Sequence, residues 1–295
     1  MTAAIETFGL TKLYGKAPGI LELDLEVHTG EVFGFLGPNG AGKSTTIRTL
    51  LGFLRPTSGR ALVLGTNDSL DIRRRTGYLP ADLGLYPSMT GRQLIRFLGS
   101  LRKFDNWARV DALAERLSLD LNRRISAYST GNKQKVGIVQ AFMHEPELLI
   151  LDEPTTGLDP LMQKEFFALI DEVRADGRTV FLSSHVLPEV ERLADRVGIV
   201  RESRLVLVEE ISALKKKAVR RLEIVFAHAV DAAEFATLPG VREAVATGTR
   251  IMLTVEGALE AVMQRAAQHG IVNITTHQPD LEEVFMRYYT GADAP

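Results

Sequence analysis

Short apolar runs of strand length recur through most of the chain, separated by segments of helical periodicity. Such runs are found at Val32–Leu36, Leu148–Leu151 and Thr179–Leu182. Between Thr90 and about Leu121 the apolar residues instead fall at the three- and four-residue spacing of amphipathic helices. Continuous apolar strands that alternate with helices are typical of a parallel sheet covered on both faces. The pattern therefore predicts an α/β fold with a mostly parallel sheet.

The strands predicted nearest the N-terminus have a different pattern. Leu21–Val27 alternates strictly between apolar and charged residues, which is the period of a strand with one solvated face. Ile5–Leu10 and Ala61–Leu64 are further strand candidates.

The arginine run and the tryptophan each have a structural and a ligand-binding interpretation, and we favour the structural one for both. Arg73–Arg75 is interpreted as a solvated helix face, and Trp107, the only tryptophan, as packing between helices.

The pattern changes after Ile211. A basic run, Lys215–Lys217 with Arg220–Arg221, is interpreted as a linker or a solvated helix face, with attraction to a membrane surface as the alternative. Beyond it short strands alternate with helices, beginning with a strand at Leu222–Phe226 and including a helix at Ala258–His269.

A last helix is predicted to begin after Asp280, which would be its N-cap, with Glu283 in the capping-box position. Its buried side would carry Leu281, Val284, Phe285 and Tyr288. We therefore expect two domains, a larger one at 1–215 and a small α+β accessory domain at 216–295. The accessory domain has no evident catalytic constellation.

Composition narrows the classes of function. A chain of 295 residues with 45% hydrophobic residues is long enough for about two globular domains. The net charge of −2 and the pI near 6.3 give no basic surface for nucleic acid, so no nucleic-acid partner is expected. The absence of cysteine excludes disulfides, thiolate metal sites and cysteine nucleophiles. No secretory signal and no run of about 18 apolar residues is found, so a role at a membrane would need another chain to span it.

One glycine-rich segment, GPNGAGKST, matches the spacing of a phosphate-binding loop. It lies between the apolar run Val32–Leu36 and a predicted helix. Glycines let backbone N–H groups approach a triphosphate, and the N-terminus of the helix adds a favourable dipole. Lys43 can reach the β and γ phosphates, and the hydroxyl of Ser44 can bind Mg²⁺. The candidate nucleotide-binding residues of this segment are Gly37, Pro38, Asn39, Gly40, Ala41, Gly42, Lys43, Ser44 and Thr45.

Charged and polar residues follow two of the predicted buried strands. Asp152 and Glu153 end the strand at Leu148–Leu151, and His185 follows the strand at Thr179–Leu182. The carboxyl ends of parallel strands are where ligands of doubly wound sheets bind, and buried acids are costly without a partner or a function. We expect Asp152 to hold Mg²⁺, Glu153 to polarise the attacking water and His185 to contact the γ phosphate, in preference to a structural histidine.

Four segments in this order resemble the ATPase subunit of ATP-binding cassette (ABC) transporters. They are GPNGAGKST, YSTGNKQKV, LLILDEPTTGLD and SSH. The resemblance implies a P-loop NTPase cassette with a helical subdomain at about 83–140. It also implies that two subunits sandwich ATP in a dimer, expected to be a homodimer, and hydrolyse it with Mg²⁺. The short cassette, its LPADLGLYPSMT segment and the C-terminal appendage ending in DLEEVF resemble the bacterial and archaeal exporter branch. That resemblance implies a permease on a separate polypeptide, so the expected place is the cytoplasmic face of the membrane.

Further residue roles come only from this resemblance. Tyr14 would stack on adenine, Ser129 and Gly131 would contact the γ phosphate bound by the partner, and Asp159 would communicate across the interface.

The chain departs from the family pattern at two places. Thr130 stands where the family has a glycine, and a β-branched residue adopts positive φ only at a cost, so weakened function is expected. Ala81 stands where the family places glutamine or glutamate, and it has no ligand atom in its side chain. Asp82 would substitute for that ligand if the loop shifted by one residue.

Two other functions compete with a transport ATPase. A regulatory cassette with weak catalysis would explain the two departures, but the presence of Glu153 and His185 argues against it. A soluble cassette ATPase acting on ribosomes or DNA generally has two cassettes or a long coiled coil. The segment between Lys43 and Ser129 is too short for such a coil beyond the helical subdomain.

Overall fold

The structure, a computed structural model, describes residues 2–217 and 219–277, without the side chains of 216, 217, 219, 220 and 277. The chain divides into two compact units, Met1–Val208 and Glu209–Pro295. The sequence predicted a domain boundary between residues 215 and 216, which is a few residues C-terminal to the division between these units. The domain bounds stay a prediction.

The strands are β1 (Ala3–Tyr14), β2 (Ala17–His28), β3 (Val32–Leu36), β4 (Ser58–Val63), β5 (Thr76–Leu79), β6 (Leu148–Asp152), β7 (Thr179–Ser184), β8 (Arg196–Arg201), β9 (Arg204–Glu210), β10 (Val219–Phe226), β11 (Val241–Thr247), β12 (Arg250–Glu256) and β13 (Ile271–His277). The helices are α1 (Lys43–Leu50), α2 (Ser69–Arg75), α3 (Gly91–Leu101), α4 (Trp107–Arg116), α5 (Thr130–Phe142), α6 (Pro160–Ala175), α7 (Leu187–Leu193), α8 (Ile211–Lys217), α9 (Ala233–Ala236) and α10 (Glu260–Ala266), with 3₁₀ turns at Ile125–Ala127 and Ala267–His269.

A six-stranded sheet in the order β5-β6-β7-β3-β8-β9 forms the centre of the first unit. The pairs β5-β6, β6-β7, β7-β3 and β3-β8 are parallel. Every residue of β3, β6 and β7 is buried, as continuous apolar runs require when helices cover both faces of a sheet. The predicted α/β fold with a mostly parallel sheet is confirmed.

A second, antiparallel sheet of the same unit has the order β2-β1-β4 and packs against α1. Ile47 and Leu50 of α1 belong to one buried cluster with Leu25 of β2 and Phe35 of β3. The rings of Phe35 and Phe181 lie 5.2 Å apart in this cluster. Because α1 is packed from two sides, the loop that precedes it has a fixed position.

The segment between β5 and β6 is mainly helical. A capping box of Thr90 and Gln93 begins α3, and Ser129 caps α5. The ring of Trp107 contacts that of Phe104, with centroids 5.7 Å apart, which agrees with a packing role. The predicted bounds of the helical subdomain, about 83–140, are not tested by these contacts and stay a prediction.

The arginines of α2 are less solvated than the sequence indicated. Arg75 forms two hydrogen bonds with the carboxylate of Glu147, at 2.7 and 2.8 Å, and Arg73 donates to the carbonyl oxygen of Leu51. These bonds join α2 to the residues before β6 and to the end of α1. The interpretation as a solvated face holds fully for Arg74, which is exposed, while Arg73 and Arg75 are half-buried.

The second unit contains an antiparallel sheet in the order β11-β12-β10-β13. Leu222, Ile224 and Phe226 alternate inward on β10 and pack with Phe235 and Val262 of the helices. The predicted helix at Ala258–His269 corresponds to α10 and the 3₁₀ turn that follows it. The helix predicted after Asp280 lies outside the described residues, and so do the side chains of Lys216, Lys217 and Arg220. In the described part of the chain, no helix is long and apolar enough to span a bilayer.

Protonation of His144, just after α5, provides a test of this fold. Its Nε2 lies 3.3 Å from the carbonyl oxygen of Thr76, and within the described residues its Nδ1 is buried without a hydrogen-bond partner. Burial, followed by the positive charge of Arg102, lowers the pKa of His144 from 6.5 to about 4, against the opposing bond to Thr76. The unfolded chain therefore binds this proton first as the pH falls.

We expect the free energy of unfolding to decrease by up to about 3 kcal/mol between pH 6.5 and pH 4 because of His144 alone. Chemical denaturation measured across this range should show a shallower decrease in His144→Asn. The exposed histidine changed in His228→Asn serves as the control and should keep the slope of the unmodified chain. Equal slopes for all three proteins would contradict the assignment.

Candidate nucleotide-binding site

The segment Gly37–Thr45 connects the buried strand β3 to α1, as the sequence predicted. Gly42 is the N-cap residue of α1 and has a φ of 104°, which residues with a side chain rarely adopt. A Cβ at Gly42 would also collide with the carbonyl oxygen of Gly19 at the β1-β2 hairpin. Glycine is thus required here by backbone conformation and by a close approach of two main chains.

A cleft of about 350 Å³ opens at this loop. Its walls combine the loop, the β1-β2 hairpin and the residue that follows β6. It is lined by Tyr14, Pro18, Gly19, Pro38, Asn39, Gly40, Gly42, Lys43, Ser44, Thr45, Ala81 and Glu153. The first turn of α1 therefore directs its N–H groups to the cleft, which is a favourable environment for an anion.

Lys43 is a buried lysine whose ammonium group has several oxygen partners. Its Nζ donates to the carbonyl oxygen of Gly37 at 2.6 Å and lies 3.2 Å from Oε1 of Glu153. The hydrogen bond holds the ammonium inside the curve of the loop, where phosphate oxygens would be bound.

The ends of β6 and β7 place Glu153 beside His185. Asp152 pairs with Ser183 in the parallel register, so the residues that follow the two strands are neighbours. Oε2 of Glu153 lies 2.8 Å from Nδ1 of His185, while Oε1 faces Lys43. Glu153 has a φ of 51°, a rare value for a residue with a side chain. The structure thus brings Lys43, Glu153 and His185 into one chain of contacts.

Asp152 and Ser44 carry hard oxygen ligands of the kind that Mg²⁺ prefers. Asp152 is buried and accepts a hydrogen bond of 2.5 Å from Oγ of Ser183, which orients its carboxylate. Ser44 lines the cleft. No cluster of three or more His, Cys, Asp or Glu residues fit for a metal occurs in the described part of the chain. This donor set suits an ion that takes its other ligands from water and substrate phosphates.

Ser129 and Gly131 lie at the start of α5, away from this cleft. Ser129 is the N-cap residue and accepts a hydrogen bond from the backbone N–H of Asn132. Gly131 packs so closely on the loop after β6 that a Cβ would lie 2.5 Å from the carbonyl oxygen of Gly157. Asp159, in the same loop, caps α6 by accepting from the N–H groups of Leu161 and Met162. Of the described residues, those that line the cleft do not include Ser129, Gly131 or Asp159.

Thr130 does not have the strained backbone expected from the sequence. It is the first residue of α5, and the described non-glycine residues with positive φ do not include it. The expectation of a φ penalty at Thr130 is therefore wrong, because helix geometry suits a threonine at this position.

Tyr14 lies at the end of β1 with its ring half exposed in the wall of the cleft. Its hydroxyl oxygen is 3.5 Å from Oγ1 of Thr45, and Nζ of Lys12 lies 5.6 Å from the ring centroid. Because about half of Tyr14 is exposed, its ring can pack against a planar group. Ala81 also lines the cleft, whereas Asp82 is exposed and is not among the described residues that line it.

Sequence reasoning missed several residues that support the site. Gln134 of α5 is buried and donates to the carbonyl oxygen of Pro154 at 2.8 Å, so it fixes the backbone next to Glu153. Pro18 and Gly19 form part of the cleft wall. A tight approach at Gly19 has no local sequence signal, because its partner Gly42 is far along the chain.

Comparisons with known proteins identify the family that the chain resembles in sequence and fold. Residues 20–156 match the family model described as "ABC transporter". The bacitracin transport ATP-binding protein BcrA of Bacillus licheniformis is 39% identical, over 76% of this chain and 75% of that protein. The daunorubicin resistance ATP-binding protein DrrA3 of Streptomyces coeruleorubidus is 34% identical over 98% and 96%. A solved ATP-binding subunit of an ABC transporter has a TM-score of 0.68 and 30% identity, and the match covers 72% of this chain and 92% of that one.

The two glycines Gly40 and Gly42 allow a test of the loop geometry. Both have positive φ, but space for a Cβ is open at Gly40 and closed at Gly42 by the main chain of Gly19. We expect Gly42→Ala to weaken ATP binding at least about tenfold, whereas Gly40→Ala should cost only about 1 kcal/mol of stability. Fluorescent-nucleotide titration and thermal denaturation measure the two effects. Equal affinities in the two variants would exclude a tight loop at Gly42.

Proposed function

Because the chain belongs to the family of ABC transporter ATP-binding subunits, we propose that the cleft at Gly37–Thr45 binds the ATP that this subunit hydrolyses, with Glu153 as general base. The protein is an ATPase that powers a membrane transporter, and it works with a permease subunit and in a cassette dimer. The observation that carries the residue assignment is the contact of Glu153 with both Lys43 and His185.

Hydrolysis requires that phosphate charge be neutralised and that a water molecule be activated. Lys43 supplies the positive charge, and its contact with Glu153 has a consequence for binding. Phosphate oxygens that take Lys43 as their partner release Oε1 of Glu153, while Oε2 remains held by His185. The carboxylate can then accept a proton from water. Ser44 and Asp152 would hold Mg²⁺, which neutralises charge on the β and γ phosphates.

Ser129, Gly131 and Asp159 are proposed to act on the nucleotide of the partner subunit. Their position outside the cleft of their own chain supports this division. Tyr14 is proposed to stack on adenine, since its ring lies in the cleft wall close to Thr45. A homodimer would then contain two equivalent sites.

The transported compound is proposed to be an antibiotic-like molecule moved out of the cell. Support comes from the names of the relatives, a bacitracin transport protein and a daunorubicin resistance protein. ATPase activity of the complex with its permease, measured with bacitracin or daunorubicin added, tests this. Stimulation by neither compound would contradict the proposal for these two classes of cargo.

A regulatory cassette without turnover is less well supported. Glu153 and His185 are in contact, and Thr130 carries no φ penalty. The departure from the family pattern at Ala81 remains, since Ala81 lines the cleft but its side chain has no ligand atom.

Lys43→Ala should lose nucleotide affinity, because a buried charge-assisted contact to phosphate would be removed. We expect the Kd for ATP to rise at least about tenfold. Isothermal titration measures the change, and Lys164→Ala, which alters an exposed lysine of α6, should bind as the unmodified chain does. Unchanged affinity in Lys43→Ala would place the nucleotide elsewhere.

Glu153→Gln should keep ATP binding and stop turnover, because the amide cannot accept the proton of water. We expect kcat to fall at least about 100-fold and ATP to trap a closed dimer. Phosphate release and size-exclusion chromatography report the two effects, with Glu115→Gln on the exposed face of α4 as the control. A normal hydrolysis rate would show that another group is the base.

A further inference from the structure

The loops that carry Glu153 and His185 share few backbone bonds. The pairing of β6 with β7 is followed by a single bond, from the N–H of Glu153 to the carbonyl oxygen of Ser183. Beyond that bond no described backbone hydrogen bond joins the two loops, yet the side chains of Glu153 and His185 meet at 2.8 Å. Side chains must therefore hold the loops in register.

Glu189 connects the two loops through its two carboxylate oxygens. Oγ1 of Thr155, in the loop after β6, donates to Oε1 at 2.6 Å. Oγ of Ser184, at the end of β7, donates to Oε2 at 3.2 Å. Both hydroxyl-bearing residues are buried, at 6% and 0% exposure, so water competes little for these bonds. Each carboxylate oxygen of Glu189 thus accepts a hydrogen bond from one of the two loops.

Ser184 also links Glu189 to the start of α7. Val186, the N-cap residue of α7, has no polar atom in its side chain, and its N–H donates to Oγ of Ser184 at 2.9 Å. Glu189 is in the N3 position, where a glutamate commonly bonds back to the N–H of the N-cap residue. Because Ser184 takes that N–H instead, the carboxylate of Glu189 is available to Thr155 and Ser184.

The helix that carries Glu189 is itself fixed to the central sheet. Val190 and Leu193 are buried, and Val190 packs so closely on β3 that a Cβ at Gly34 would collide with its Cγ1. β3 leads directly into the phosphate loop. Glu189 therefore fixes both loops relative to β3, the strand that leads into the loop carrying Lys43.

We infer that Glu189 is a positioning residue of the ATPase site, one that sets the contact between Glu153 and His185 by joining Thr155 to Ser184. This inference rests on the proposed roles of Glu153 and His185. Both carboxylate oxygens of Glu189 are bonded to Thr155 and Ser184, so its proposed effect is on the positions of Glu153 and His185 and not on nucleotide contact. Its loss should affect the catalytic step and leave nucleotide binding intact.

The test compares kcat, KM and the melting temperature in variants of the 295-residue chain. We expect Glu189→Ala to lower kcat at least about tenfold with KM for ATP changed by less than about twofold, since a displaced base loses rate but not binding. Glu189→Gln retains one acceptor and the shape of the side chain, so its kcat should lie between those of Glu189→Ala and the unmodified chain. Glu191→Gln, the same change two residues along α7, is the control and should keep the kcat of the unmodified chain.

A double variant separates positioning from helix stabilisation. Thr155→Val removes one of the two bonds, so its effect on kcat should be smaller in the Glu189→Ala background than alone. The inference would be overturned if Thr155→Val lowered kcat equally in both backgrounds. It would also be overturned if kcat followed only the folded fraction, or if KM for ATP rose in parallel. If Glu189→Ala fails to fold, Glu189→Gln and Thr155→Val decide, and an unchanged kcat in both overturns it.

The role of Glu153 as general base and the role of Glu189 as positioning residue are distinguished by two outcomes. Rapid hydrolysis by Glu153→Gln would remove the general base, and with it the premise for Glu189. Arrested hydrolysis by Glu153→Gln together with a normal rate in Glu189→Ala would leave the base in place and remove only the positioning role.

Discussion

The structure depends on the meeting of three parallel strand ends at one edge of the central sheet. β3 ends in the phosphate loop, β6 ends at Asp152 and β7 ends at Ser184. Since parallel neighbours have their carboxyl ends on the same side, an ammonium, a carboxylate and an imidazole are brought to the same place. The chain of contacts from Lys43 through Glu153 to His185 is the direct result. Burial strengthens the contact of Lys43 with Glu153, whose side chains are mostly buried, and it makes an unpaired Glu153 costly, whereas His185 is half exposed.

Rigidity around this edge comes from packing on several sides. The helix after the phosphate loop is held between two sheets, and Gly42 lets the main chain of the β1-β2 hairpin approach the loop. Gln134 holds the backbone next to Glu153, and Ser183 orients Asp152. These supports come from four different parts of the chain. The proposed catalytic site, which requires defined distances, is in this way built on elements that contact one another.

The residues proposed to act on a partner's nucleotide are arranged differently. Ser129 and Asp159 each cap a helix with their side chains, at the starts of α5 and α6. Gly131 and the loop carrying Gly157 pack on each other, so the two helix starts form one local unit. This unit is apart from the cleft of its own chain, which agrees with the cassette dimers that the family forms. A division of one site between two subunits makes turnover dependent on their association.

The sequence by itself determined the features that are local in the chain. The glycine spacing, the apolar strand before it and the helix after it predicted the loop at Gly37–Thr45, because each backbone conformation there is set by adjacent residues. The alternation of strands and helices predicted the parallel sheet, and hence that Asp152 and His185 lie at the same edge. Only the tertiary structure decided that Glu153 contacts Lys43, that Thr130 adopts helical φ, that Arg75 pairs with Glu147 and that Glu189 joins Thr155 to Ser184. These contacts join residues far apart in sequence, or depend on where a helix begins, and they are fixed by how the elements pack and not by any local pattern.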